Sequence, residues 1–226
     1  MKYIQTIISI CVAAVGLAGC DRHSPTSPSA QVIGSGVLVT ETLPIGPISE
    51  VSVRGAGRLI IDQYGPETLE TTAEDNILPL LKAEVVNGRL SIGPDLGSSF
   101  ESTRGVVYRL GARALKMTEA SGASRIESES IEVDRLTVLL SGASAARITG
   151  AVAFLELQAS GASNAVLDGI RSPEVRVTVS GSSYARVRSS DHLTVSASGA
   201  SLVEYSGDPV LIVSVSGNSS VRRIGP

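Results

Sequence analysis

The sequence predicts an all-β fold, a parallel β-solenoid (β-helix) with coils of about 19 residues, and three observations carry that prediction. The first is a tetrapeptide, Ser-Gly-(Ala/Ser/Asn)-Ser, that occurs six times. Its copies begin at Ser121-Gly122, Ser141-Gly142, Ser160-Gly161, Ser180-Gly181, Ser198-Gly199 and Ser216-Gly217, and the starts are 20, 19, 20, 18 and 18 residues apart. The second is a set of aliphatic columns locked to that repeat. Leu136, Leu155, Val175, Leu193 and Leu211 stand five residues ahead of a corner Ser; Val138, Leu157, Val177, Val195 and Val213 stand three ahead; Leu140, Ala159, Val179, Ala197 and Val215 stand one ahead. Alternation with mostly polar residues between them marks strands with one buried and one wet face. The third is length. A βαβ crossover takes ~30 residues and a propeller blade ~40, whereas two strands and a return in one such repeat fit one solenoid coil, stacked ~4.8 Å above the last.

In chain order, the first element is an export signal. Lys2 supplies a positive start, residues 7–18 form a short apolar core, and Leu17-Ala18-Gly19-Cys20 resembles a lipobox. The apolar run is shorter than the ~20 residues that span a bilayer, so residues 1–20 read as a lipoprotein signal peptide and Cys20 as the lipidated residue. Multiple acyl chains on Cys20 give firm membrane attachment. Asp21 resembles a retention signal for the inner membrane, which slightly favours its periplasmic side over the outer membrane. Residues 21–35, with Pro25, Pro28 and several serines, read as a flexible tether.

Residues 36–226 form the folded domain, irregular over 36–114 and regular over 115–226. Within the irregular part, Val51 and Val53 before Arg54-Gly55-Ala56-Gly57, with Leu59-Ile60-Ile61 after it, look like a degenerate corner between two strands. Asp75 to Leu81 suits a helical turn capped by Asp75. Asn87-Gly88 between apolar alternations predicts a hairpin with a type I′ turn. Residues 93–105 read as a loop. Whether this part continues the solenoid or caps it stays open, but either way it covers an end of the stack. In the first repeat Leu115 and Met117 are out of phase with the columns, and a bulge around Thr118 would restore the register. In the regular repeats the corner Gly admits positive φ and close approach of the next coil, while the flanking serines bond locally and up the stack. After each corner a second inner column follows: Ala146, Ala165, Ala185, Val203 and Val221, with Ile148, Leu167, Val187 and Tyr205 two residues on.

The order of short motifs carries a resemblance. Ile48-Ser49-Glu50-Val51-Ser52-Val53, Gly57-Arg58-Leu59-Ile60-Ile61, Asp75-Asn76-Ile77-Leu78, Asn87-Gly88-Arg89-Leu90-Ser91-Ile92 and Val106-Val107-Tyr108, followed by the Ser-Gly-Ala-Ser series, make residues 36–226 resemble the putative autotransporter adhesin, head GIN domain family. The resemblance implies a β-helical domain outside the cytoplasm, often on a lipoprotein, with an adhesin role and no assigned catalytic residues.

Composition narrows the chemistry. The chain carries 19 Lys and Arg against 22 Asp and Glu, with no basic run longer than Arg222-Arg223, so it lacks the footprint of a nucleic-acid binder. It has two histidines. His23 falls in the tether and His192 reads as a surface residue of a return loop, so neither a catalytic dyad nor a His/Cys metal site is expected. No cofactor is expected. A carbohydrate-cleaving β-helix needs carboxylates on neighbouring coils, ~5–9.5 Å apart for a glycosidase. On the wet positions of the regular strands only Glu156 qualifies, between Thr137 and Arg176, and Glu204 and Asp168 fall in other columns. A carbohydrate-binding module needs exposed aromatics, for which Tyr184 is the candidate, while Tyr205 belongs to an apolar column. The sequence therefore predicts a non-catalytic, lipid-anchored envelope protein that acts by adhesion or scaffolding. Its expected partners are the membrane, through Cys20, and an unknown envelope protein or glycan. The alternative is a carbohydrate-binding or carbohydrate-active β-helix.

Overall fold

The computed structural model describes residues 31–225, so the expected signal peptide and Cys20 lie outside the described residues. The N-terminal part comprises β1 (Val32–Ile33), β2 (Leu38–Pro44), β3 (Glu50–Val53), β4 (Gly57–Asp62), β5 (Thr68–Glu74), a 3-10 turn at Leu78–Leu80, β6 (Leu81–Val86), β7 (Arg89–Pro94), β8 (Phe100–Glu101) and β9 (Val106–Gly111). The repeats supply β10 (Met117–Ala120), the long β11 (Arg125–Leu140) and β12 (Ala145–Ala159), then β13 (Asn164–Arg171), β14 (Glu174–Val179), β15 (Tyr184–Arg188), β16 (His192–Ala197), β17 (Leu202–Ser206), β18 (Val210–Val215) and β19 (Ser220–Gly225).

These strands stack into two long faces joined at the Ser-Gly corners. Sheet one runs β6-β7-β3-β10, through the C-terminal parts of β11 and β12, to β14-β16-β18. Sheet two runs β2-β5-β9-β4, through the N-terminal parts of β11 and β12, to β13-β15-β17-β19. Every pairing within the repeats is parallel, and Leu136, Leu155, Val175, Leu193 and Leu211 lie directly over one another. The parallel β-solenoid follows from those columns. The first four of these side chains are at most 1% exposed, as are Val138, Leu157, Val177 and Val195. In the last coil the same columns stay in register, but Leu211, Val213 and Val215 are 40%, 41% and 45% exposed because no further coil covers them among the described residues.

The corners explain the tetrapeptide. All six corner glycines have φ between 70° and 80°, and Gly55 in the degenerate corner has φ 85°. At Gly161 a Cβ would lie 2.6 Å from the carbonyl oxygen of Gly142 in the coil below, so both conformation and close approach require glycine. The residue after each corner glycine donates its N–H to the glycine carbonyl beneath: Ala162 to Gly142 at 2.8 Å, Ser182 to Gly161 and Ala200 to Gly181 at 2.7 Å. In the first five copies the closing serine of the tetrapeptide is buried. Ser163, Ser183 and Ser201 each donate to the carbonyl of the opening serine three residues earlier, at 2.7, 2.8 and 2.9 Å.

The irregular part is solenoid and cap together. The β3 corner at Gly55 lies under Gly122, with Ala123 N–H donating to Gly55 O at 2.7 Å, and β7 and β9 lie one level further out. Beyond them the parallel stack ends in antiparallel strands, β6 on β7, β5 on β9 and β2 on β5. The β6–β7 turn has φ 51° at Asn87 and 77° at Gly88, as a type I′ turn requires. Glu74 fastens the cap. Buried beneath Gly34, its carboxylate accepts from Gly36 N–H at 3.0 Å, Thr103 N–H at 3.2 Å and the hydroxyls of Ser102 and Thr103.

Four local expectations change. No bulge occurs at Thr118. β10 pairs with β11 without a shift, Thr118 opposite Val138 and Ala120 opposite Leu140, while Leu115 reaches the core from the preceding loop. The turn at Leu78–Leu80 has no side-chain cap, since Asp75 instead accepts a hydrogen bond from the Ser35 hydroxyl. Residues 93–105 include β8, which pairs with β1, so Val32–Ile33 at the end of the compositional tether is strand. Beyond these four, β11 has a bare stretch. It pairs with β4 at residues 125–128 and with β10 at 137–140, but its middle has no strand on the cap side. There the Gln63 side chain stands in for a peptide unit. Gln63 accepts from Glu132 N–H at 2.6 Å and donates to Glu132 O at 2.8 Å and Arg113 O at 3.1 Å.

Candidate functional site

Stacking converts the wet strand positions of sheet one into two outward columns. One holds Met117, Thr137, Glu156, Arg176, Thr194 and Ile212; the other holds Glu119, Leu139, Gln158, Thr178, Ser196 and Ser214. Beside the second column a shallow depression of about 260 Å³ is lined by Glu119, Leu139, Gln158 and Thr178 with the corner serines Ser141, Ser160 and Ser180. The face is flat because parallel strands in register repeat the same side-chain position every coil, and hydroxyl and amide groups dominate its middle. It offers donors and acceptors in rows and no deep cavity.

The carboxylates are placed for packing. Glu156 is flanked by Thr137 and Arg176, as the register predicts, and accepts from the Gln158 amide at 3.3 Å. Glu119 is ion-paired with Arg89 across two coils. On sheet two Glu204 is 4% exposed and gathers Tyr184, Arg186 and Arg222. The hydrogen bond from the Tyr184 hydroxyl, then those from Arg222 and Arg186, hold the Glu204 carboxyl down at about 2. Arg186 also lies 3.9 Å from Asp168, so both acids serve one guanidinium. A general acid needs a raised pKa, and Glu204 is shifted the other way.

The aromatic candidates change places. Tyr184, which the sequence offers for sugar stacking, spends its hydroxyl on Glu204, and Tyr205 packs against the core. Phe154 was not singled out by the sequence, yet it stands on the outer surface at the edge of sheet one. The Arg135 guanidinium lies 4.0 Å from its ring centroid and that of Arg176 5.9 Å away. The signal was available in the repeat: Arg135, Phe154 and Glu174 share one column, directly ahead of the first inner column. His192 is exposed at the start of β16, in that same column. Among the described residues no group of three or more His, Cys, Asp or Glu is arranged to hold a metal ion.

The corner residues Ser121 to Gly217 thus form the structural spine, while Cys20 lies outside the described residues. A family model described as "putative auto-transporter adhesin, head GIN domain" matches residues 48–209. No curated protein matches the chain. Among solved structures, a putative adhesin from Bacteroides fragilis NCTC 9343 superposes with a TM-score of 0.71 at 15% identity, covering 85% of this chain and all of that one. A putative lipid binding protein from Parabacteroides distasonis ATCC 8503 gives 0.55 at 15% identity, covering 86% and 99%. A putative adhesin from the same organism gives 0.53 at 17% identity, covering 86% and 100%. At these identities the likeness is one of fold.

Proposed function

Because the chain belongs to the family described as "putative auto-transporter adhesin, head GIN domain", we propose that it is a non-catalytic protein of the cell envelope that uses the flat outer face of sheet one for adhesion or scaffolding. The observation that carries this reading is the pair of continuous outward columns, whose middle sets Thr137, Gln158, Thr178, Thr194 and Ser196 around Leu139, Glu156 and Arg176. Solenoid faces of this kind make extended contact platforms, and their affinity comes from many weak contacts. The paired state of Glu119, Glu156 and Glu204 supports a contact surface over a hydrolytic one. In this reading the Leu17-Ala18-Gly19-Cys20 motif anchors the chain to the periplasmic side of a membrane.

Two experiments test it. The purified chain should be retained on isolated cell envelopes, and the triple variant Thr178→Arg, Thr194→Arg, Ser196→Arg should lose that retention while melting as the wild type does. Release of reducing or unsaturated ends from envelope polysaccharides would instead establish catalysis. Separately, Cys20→Ser should move the protein from the membrane to the soluble fraction, and an unchanged distribution would remove the anchor.

A further inference from the structure

We propose that the bare stretch of β11 forms a binding cleft for an acidic oligosaccharide, one that carries uronate groups. This site lies on the third side of the coil, apart from the depression on sheet one, and the two readings stand or fall separately. The cleft arises from topology. After Asp62 the chain leaves its coil for the cap and re-enters only at Ala112, so the third side lacks a full rung beneath residues 131–135. Gln63 closes one end of the gap through Arg113 O and Glu132, and the ladder resumes at the other, where Thr137 N–H donates to Lys116 O at 2.8 Å. What remains open between them is a cleft of about 560 Å³, a size typical of small-ligand sites.

Its lining has the chemistry of an acidic sugar site. Arg113 and Lys116 occupy the lower lip, and Glu132, Asp134 and Arg135 the upper. All five are exposed, and among the described residues none makes a salt bridge, so the opposite charges of the two lips do not close on one another. Cations on one lip suit a uronate carboxylate. Carboxylates on the other lip suit sugar hydroxyls, which they accept hydrogen bonds from and which a purely anionic ligand would not supply. Phe154 adds an apolar surface beside the cleft, held in place by Arg135 at 4.0 Å. The mixed lining favours a hydroxyl-rich anion over an acidic peptide, whose side chains would meet Glu132 and Asp134 with like charge.

The test uses the full chain and a fluorescently labelled oligogalacturonate, with a neutral oligosaccharide of equal length and a short polyglutamate as comparisons, read by anisotropy. The oligogalacturonate should bind, and the double variant Arg113→Glu, Lys116→Glu should weaken binding about tenfold or more. Arg188→Glu, an exposed charge on sheet two, should leave it unchanged, and added salt should weaken it. An equal melting temperature for the double variant keeps the loss attributable to the lip. Absence of oligogalacturonate binding, undiminished binding by the correctly folded double variant, or equal binding of the neutral oligosaccharide would each overturn the proposal. Binding of polyglutamate in preference to the uronate would overturn it in favour of an acidic peptide.

Discussion

At the scale of single residues, two buried polar groups behave in opposite ways. Thr118 sits in an inner column between Val51 and Val138, fully buried, and its hydroxyl has no hydrogen-bond partner. A buried hydroxyl without a partner carries an uncompensated loss of hydration. Thr118→Val should therefore stabilise the domain by about 1 kcal/mol, read from chemical denaturation. A destabilised variant would mean that the hydroxyl is satisfied in solution. Glu74 is as deeply placed but fully answered. Hydrogen bonds from Ser102 and Thr103, then from Gly36, hold its carboxyl down at about 2. The folded chain thus binds its proton more weakly than the unfolded chain does. The stabilisation is complete above the ordinary carboxylate range, ~4.3, and is lost as pH falls through about 2. Glu74→Gln should melt below the wild type near neutral pH, with the gap closing at low pH; a gap independent of pH would contradict the latch. Neither residue's role was legible in the sequence. Thr118 looked like the site of a bulge because Leu115 and Met117 are the more apolar neighbours. Glu74 acquires its role only from loops at residues 34–36 and 102–105, which approach it in space.

At the scale of elements, the alternation along each strand decides which substitutions matter. Val177 and Thr178 are neighbours on β14, one in an inner column and one on the outer face. Val177→Asp would bury an unpaired charge between Leu157 and Val195, at a cost of about 4 kcal/mol or more. Thr178→Asp should stay within about 0.5 kcal/mol. Equal melting temperatures for the two variants would refute the register. This level was the most legible, because a period of two fixes sidedness and six copies of one tetrapeptide fix the phase. The cap was the least legible. Its antiparallel strands pair partners far apart in sequence, β2 with β5 and β5 with β9, and no repeat announces them.

At the scale of the whole molecule, a solenoid is held by neighbour-to-neighbour contacts, so its stability varies along the axis. The capped end is sealed by β2, β5 and β6, whereas β18 is exposed along its whole length, with Val210 and Ile212 each 63% accessible. Amide hydrogen exchange should be fastest in β18 and β19 and slowest in the central coils around β12 and β14. Uniform protection would show that the chain unfolds as one cooperative unit. The sequence by itself determined the parallel solenoid, its strand phase and its glycine corners, since each follows from local periodicity repeated at one spacing. Only the tertiary structure decided where the stack is capped, that Tyr184 is tied to Glu204 while Phe154 faces outward, and that one rung is missing beneath Glu132. The physical reason is that these depend on which distant segments meet, and a chain's local pattern specifies faces and corners but not the neighbour that an interrupted edge will find.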